Sequence, residues 1–201
     1  MIMRGRGIEI RGAGTEAEAD EAVAVLDAVL GATRGWQLNR ARQLELYRNA
    51  PELLSIAIDN GRIIGCVGCD GANGIEAVAV RDEYRGQGLG RRLLERAEGI
   101  LRDRGVTAAG LGSLDGAVEF YLSCGYQAKL LIQFAPEVDH PELIIDELLA
   151  DVLAGRDVVR RDWQGHPQLW LQERTIDWDL KRRIEDVAPG VVAQYTMSKQ
   201  L

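Results

Sequence analysis

The sequence predicts an α+β (α/β) fold, and three observations predict it. An apolar run at 75–80, a cluster of glycines and an amphipathic segment stopping at Gly105 follow one another directly, which reads as strand, turn and helix. Asn60-Gly61 and Asn73-Gly74 separate short apolar runs, the strongest local signal for tight antiparallel turns. From about 129 onward the pattern becomes strand, helix, strand, strand, helix, strand, a βαββαβ order of the ferredoxin-like kind.

The elements follow in order. A strand is predicted at 7–11. A helix over 15–30 places Val23, Leu26 and Leu30 on one side, with Thr15 and Glu18 as a capping box and Gly31 as its stop. A second helix, 36–49, ends before Pro51. Strands at 53–59, 62–69 and 75–80 form two hairpins. The long helix begins near Leu89 and carries Leu93, Leu94, Ala97, Ile100 and Leu101 at helical spacing; a short strand at 106–111 follows it. In the tail, strands are predicted at 129–134, 157–163, 168–173 and 191–197. Helices are predicted at 143–153, closed by Gly155, and from Thr175 to about 187, ended by Pro189-Gly190. The expected division is a main domain over 1–135 and a small α+β extension over 136–201, with a strand from about 129 shared between them.

With 201 residues, 46% of them apolar, the chain can bury a full core. The net charge of −7 is spread over both parts, so no basic surface is expected to hold nucleic acid. No apolar run approaches membrane-spanning length, and Met-Ile-Met-Arg-Gly-Arg lacks a secretory apolar region; no membrane partner and a cytoplasmic location are the expectation. Three cysteines suit a reducing compartment. Cys66 and Cys69 form a C-x-x-C inside an apolar strand with no second pair, so core packing is expected rather than a metal site. Cys124 reads as a small core residue. His140 and His166 each precede a proline in loop-like segments and are expected at the surface.

Arg85-Gly86-Gln87-Gly88-Leu89-Gly90 carries the chemistry. A glycine turn leading into a helix N-terminus makes an anion site, because first-turn N–H groups lack helical partners and glycine lets a phosphate approach the backbone. It is not a Walker A loop, since no G-x-x-x-x-G-K-[ST] occurs. Nor is it a dinucleotide fingerprint: the sixth place counted from Gly86 is Arg91, and from Gly88 it is Leu93. Gly12-Ala13-Gly14-Thr15-Glu16-Ala17 does fit G-x-G-x-x-A, but a second helical pattern follows where the next Rossmann strand should stand, so a turn and helix cap are expected there.

What remains is R-x-x-G-x-G, from Arg85 to Gly90, which resembles the acyl-CoA pyrophosphate loop of the GNAT superfamily of N-acetyltransferases. Ala117-Val118-Glu119-Phe120-Tyr121-Leu122-Ser123-Cys124-Gly125-Tyr126 resembles the last motif of that family, A-x-x-x-Y followed by x-x-x-G-[FY]. The resemblance covers about 1–130 and implies the GNAT fold with a mixed central sheet, acetyl-CoA as cosubstrate and no metal. The implied reaction is direct transfer of the acetyl group to a primary amine of a small molecule or peptide. The other reading of the same loop is a non-catalytic acyl-CoA-binding module whose tail is a protein-interaction domain.

Acetyl transfer requires a proton acceptor for the ammonium, polarisation of the thioester carbonyl and a proton for the departing thiolate. The resemblance implies Glu76 as general base, directly or through water; strand alternation leaves a solvated face open to it instead. Backbone N–H groups of Val78, Ala79 and Val80 are implied at the thioester oxygen. Tyr121 is the implied general acid, since a phenol of pKa about 10 stays protonated at neutral pH. Arg85 and Arg91 are implied at the pyrophosphate, with backbone donors from Gly86, Gln87, Gly88, Leu89 and Gly90. Leu114 stands where the family often has an asparagine at the cofactor arm; either Ser113 or Asp115 substitutes for it or the contact is absent. Trp163, Trp170 and Trp178 all fall in the tail; filling a small core is the expectation, with an amine pocket or a homodimer contact as the other roles.

Overall fold

The apolar runs flanking the Asn-Gly pairs do form strands, and Asn60 and Gly61 both take positive φ, 50° and 78°, as a two-residue hairpin of matching twist requires. The computed structural model describes residues 7–135, 138–163, 165–188 and 190–201, with all their side chains except those of 34–36 and 38. Pro189, proposed as a helix stop, and Gln164, in the predicted tail turn, lie outside the described residues. By its internal contacts the chain divides into two units, one running up to Gly110 and including Gln200–Leu201, the other Leu111–Lys199.

The first unit contains β1 (Glu9–Gly12), α1 (Glu16–Leu30), α2 (Arg34–Asn49), β2 (Leu54–Asp59), β3 (Arg62–Cys69), β4 (Ile75–Val80) and α3 (Leu89–Asp103); β5 (Ala108–Gly112) crosses its boundary. Its sheet runs β1-β2-β3-β4, with every neighbouring pair antiparallel. The centrally placed β3 is buried from Ile63 to Cys69. Successive strand residues face opposite ways, and here they sort the helices. Cys66 Sγ donates to the Ala22 carbonyl of α1 at 3.4 Å. A Cβ on the preceding Gly65 would stand 3.1 Å from Leu93 of α3. So α1 and α3 cover opposite faces. Gly68, on the Cys66 face, receives Tyr47 of α2 so closely that a Cβ would lie 2.0 Å from the Tyr47 hydroxyl. Two forked pairs tie α2 to α1: Arg40 with Asp27, at 2.6 Å through both nitrogens, and Arg48 with Asp20, at 2.7 and 3.0 Å.

Thr15 caps α1 as expected, its Oγ1 accepting from Glu18 N at 3.2 Å. The Glu18 carboxylate answers with a backbone hydrogen bond at Thr15, the weakest of those it accepts. It also accepts from Gly14 N at 2.8 Å and pairs with Arg11. The G-x-G-x-x-A stretch therefore has its helix start filled by the chain's own carboxylate, which leaves no dinucleotide site there.

The second unit contains α4 (Val118–Ser123), β6 (Gln127–Phe134), a short α5 (Pro141–Leu143) continuing as a π-helical stretch Ile144–Leu149, β7 (Val158–Trp163), β8 (His166–Leu171), α6 (Trp178–Val187) and β9 (Val191–Gln200). Its sheet order is β5-β9-β6-β8-β7, with β6 antiparallel to both β9 and β8 and β8 antiparallel to β7. Asp177, not Thr175, caps α6, its carboxylate accepting from Leu180 N at 2.9 Å. The tryptophans do not fill a core. Trp163 is 60% exposed at the end of the edge strand β7, Trp178 is exposed, and Trp170 is half-buried with Arg161 above its ring at 5.6 Å. Among the described residues no helix is long and apolar enough to cross a membrane.

Candidate functional site

In the first unit, β4 delivers the chain to the glycine loop through a turn at Asp82–Tyr84. Gly86 and Gly88 adopt φ of 74° and 73°, the left-handed region where a side chain is strained, and among the described residues no atom beyond the adjoining chain neighbours lies within 4 Å of a Cβ built on either. Their glycine requirement is thus conformational, and the space beside them is open. Gly88 is the N-cap of α3; it supplies no side chain, and the first turn holds no acidic residue. The helical ladder begins with Arg92 N donating to Gly88 O at 3.2 Å, so the amides ahead of it sit at an uncapped positive end. The two glycine-rich helix starts of this chain therefore differ: the one at α1 is plugged by Glu18, the one at α3 is open. A diphosphate suits the second. Arg85 lies alongside, its Nε donating to Val80 O at 3.2 Å and its Nη2 2.9 Å from Asp82. Arg91 is exposed on the first turn of α3.

β4 is the last strand of its sheet. Beyond it there is one parallel bridge, Gly74 to Gly110, where Gly110 N donates to Asn73 O at 3.0 Å. Among the described residues the outer edge of 75–80 pairs with no strand; since Arg81 N donates to Ile64 O of β3, alternation turns the main-chain groups of Val78 and Val80 to that edge and those of Ala79, opposite Cys66, inward to β3, which removes Ala79 from the expected set of donors. Pairing with β3 also breaks register within β4: Gly68 faces Ala77 and Cys69 faces Ile75, leaving Glu76 bulged. The bulge turns Glu76 toward α2. Gln43 Nε2 donates to Glu76 Oε2 at 2.7 Å, and Arg42 Nη2 lies 3.1 Å from Oε1. Glu76 is thus a half-buried carboxylate held by two donors, not a freely solvated one.

Gln43 is 2% exposed, and its Oε1 has no partner among the described residues. One turn later the Tyr47 hydroxyl is also buried without a partner, its pKa driven up by burial and by the nearby Glu76 charge. Sequence reasoning missed Gln43 and Tyr47. Their spacing on α2 puts them on one face, but only the bulge, which strand alternation does not reveal, brings Glu76 to them.

In the second unit, α4 carries Tyr121, 7% exposed, with Phe120 and Tyr126 edge-on at 5.0 and 5.8 Å. Burial, and secondarily Cys124, raises the Tyr121 pKa, so the phenol is protonated at neutral pH. Its hydroxyl has no hydrogen-bond partner among the described residues. Leu114 is 48% exposed. Neither proposed substitute is idle: Ser113 Oγ donates to Leu114 O at 2.8 Å, and Asp115 pairs with Lys181 at 3.0 Å.

The C-x-x-C cysteines are buried thiols, both pushed up to about 12 by burial, and Cys124 is buried and free too. Among the described residues no three His, Cys, Asp or Glu side chains converge to hold a metal. His140 is exposed and His166 half-buried.

Comparison with known proteins places these features. A family model described as the acetyltransferase (GNAT) family matches residues 22–126, more than half of the chain and including both the loop and the Tyr121 segment. Among solved structures, a GCN5-related N-acetyltransferase from Rhodopseudomonas palustris is similar over 100% of both chains, at 18% identity and a TM-score of 0.51. A ribosomal-protein-alanine N-acetyltransferase from Brucella melitensis matches 96% of this chain and 99% of its own, at 16% identity and a TM-score of 0.53. Rv2747 from Mycobacterium tuberculosis, solved in complex with CoA and NLQ, matches over the same shares, at 16% identity and a TM-score of 0.53. With the family model spanning the loop, the bulged strand and the tyrosine helix, this chain belongs to the GNAT acetyltransferase family.

Proposed function

We propose that the protein transfers the acetyl group of acetyl-CoA to a primary amine by direct attack, with residues 1–135 as the acetyltransferase domain and 136–201 as an extension. The observation that carries this reading is the uncapped start of α3 beside the open space at Gly86 and Gly88. In this reading Gly86, Gln87, Gly88, Leu89 and Gly90 bind the diphosphate through backbone N–H groups, with Arg85 and Arg91 supplying charge. Coenzyme A-bound relatives such as the Mycobacterium tuberculosis protein support the choice of cosubstrate.

Main-chain N–H groups of Val78 and Val80, on the unpaired edge of β4, stabilise negative charge developing on the thioester oxygen. Glu76 accepts the amine proton, directly or through a water, and Arg42 and Gln43 fix its carboxylate for that task. Tyr121, protonated and with an unengaged hydroxyl, donates to the departing thiolate. The acceptor is an amine carried by a small molecule or a peptide.

A thiol-release assay over a panel of amines, with wild type and Tyr121→Phe, tests the proposal. Tyr121→Phe should lose about 10²-fold or more in rate on any amine that turns over. Tight binding of coenzyme A with no turnover on any amine would instead identify a non-catalytic acyl-CoA module.

A further inference from the structure

We infer that the outer edge of β7 is the surface through which two copies of this chain pair, strand against strand, about a two-fold axis at Arg161. The inference goes beyond the proposed activity and does not depend on it. It lies wholly within the second unit.

β7 is the last strand of the order β5-β9-β6-β8-β7, and among the described residues its outer side pairs with no strand. Such an edge carries free N–H and C=O groups that accept another strand, and it is commonly kept short or covered. This one runs six residues, and every residue from Val159 to Trp163 is exposed. Apolar surface gathers there too. Val159 is 38% exposed and Trp163 60%, both on one face of β7. Leu143, 54% exposed, follows directly on Glu142, which pairs with Arg160 on the other face.

The backbone decides which groups a second strand can meet. Gln172 N donates to Asp157 O at 2.9 Å, in step with the β7–β8 register that sets Val158 against Leu171 and Trp163 against His166. Alternation therefore turns the main-chain groups of Val159, Arg161 and Trp163 inward to β8, and those of Val158, Arg160 and Asp162 outward. An antiparallel mate must join outward residues to outward residues. With the axis at Arg161, Arg160 exchanges main-chain bonds with the partner's Asp162, twice by symmetry. The same register sets opposite charges across from each other at that pair, and sets Val159 across from the partner's Trp163. An axis at Arg160 or at Asp162 would instead put like charges into the bonded pair. The axis at Arg161 does bring that residue beside its own copy. Its guanidinium, however, already lies over Trp170 of β8, 5.6 Å from the ring centre and inward from the edge.

Sedimentation of the full chain over a rising concentration series tests this, and should show a reversible monomer–dimer equilibrium. Asp162→Arg sets an arginine across from Arg160 in both halves and should raise the dissociation constant by about 5-fold or more. Arg161→Cys reads the register directly. Its thiol falls on the axis in a non-hydrogen-bonded pair, with Cα atoms about 4.5 Å apart, within disulfide range. Glutathione disulfide should convert that variant to a covalent dimer, each new cross-link reducing one glutathione disulfide to two thiols. Val159→Cys, on the same face but roughly 13 Å along the strand from its own copy, should not cross-link. Cys66, Cys69 and Cys124 are buried and do not compete. A wild type that stays monomeric to its highest soluble concentration overturns the inference. So does a dimer that Asp162→Arg leaves equally tight, or equal cross-linking of the two cysteine variants.

Discussion

Replacing Gly88 with alanine separates the backbone conformation of the loop from its use as a phosphate cradle. Gly88 has φ 73° and ψ 3°, and among the described residues no atom beyond its chain neighbours lies within 4 Å of the new Cβ. The cost to folding is therefore conformational, about 1–2 kcal/mol for a side chain in the left-handed region. For a chain of this size that lowers the melting temperature by about 2–8 °C. Gly105, past the opposite end of the same helix, has φ 79° and equally open space, so Gly105→Ala carries the same folding cost. The two variants should melt alike. They should differ in coenzyme A affinity: the Gly88 methyl occupies space assigned to the diphosphate and strains the turn that aims its amides. A loss of about 10-fold or more is expected for Gly88→Ala, and none for Gly105→Ala. Thermal melting and calorimetric titration on both proteins read the two quantities. Equal melting with unchanged affinity in Gly88→Ala would refute the assignment of the loop.

Gln43→Met keeps the volume of the side chain but removes the donor to Glu76; turnover should fall by about 10-fold with KM for acetyl-CoA unchanged, and the effect should vanish in a Glu76→Gln background. The Glu18 carboxyl is held at about 2, chiefly by Arg11 and then by Gly14 N. A depressed carboxyl stabilises the fold fully above its ordinary value and loses that contribution as pH falls toward 2; melting scans from pH 5 to pH 2 should show the gap between wild type and Arg11→Leu shrinking over that window. Gly68→Ala would bring a methyl within 2.0 Å of the Tyr47 hydroxyl and should destabilise the protein by about 1–3 kcal/mol in a denaturant titration.

The legible parts of the molecule were those set by local chemistry. Asn60-Gly61 marked the first hairpin and the run of leucines on 89–101 the face α3 buries, but the turn from β3 to β4 is built on Asp70, whose carboxylate accepts from Ala72 N and Gly74 N, and on Gly71 at φ 83°, not on Asn73-Gly74. The spacing from Arg85 to Gly90, with the Ala117–Tyr126 motif after it, carries the family resemblance. What stayed hidden depends on contacts far apart in sequence. A bulge is a mismatch between two strands, so alternation within 75–80 alone could not say that Glu76 turns toward Gln43. Thr175 and Asp177 are both good caps, and only the observed Asp177 contact with Leu180 chooses between them. The tryptophans looked like core by composition, yet Trp163 ends an edge strand and Trp178 opens a helix, positions where a large ring stays partly solvated. Lys181 gave no signal at all: its partner Asp115 lies in the lead-in to a different helix.

The central claim is that the α3 start binds a diphosphate joined to pantetheine. Paired titrations of the wild-type protein with coenzyme A and with pantetheine, which lacks the diphosphate, test it most directly. The account predicts saturable one-to-one binding of coenzyme A and affinity for pantetheine weaker by about 10²-fold or more. Equal affinity for the two compounds, or no heat with coenzyme A, would contradict it.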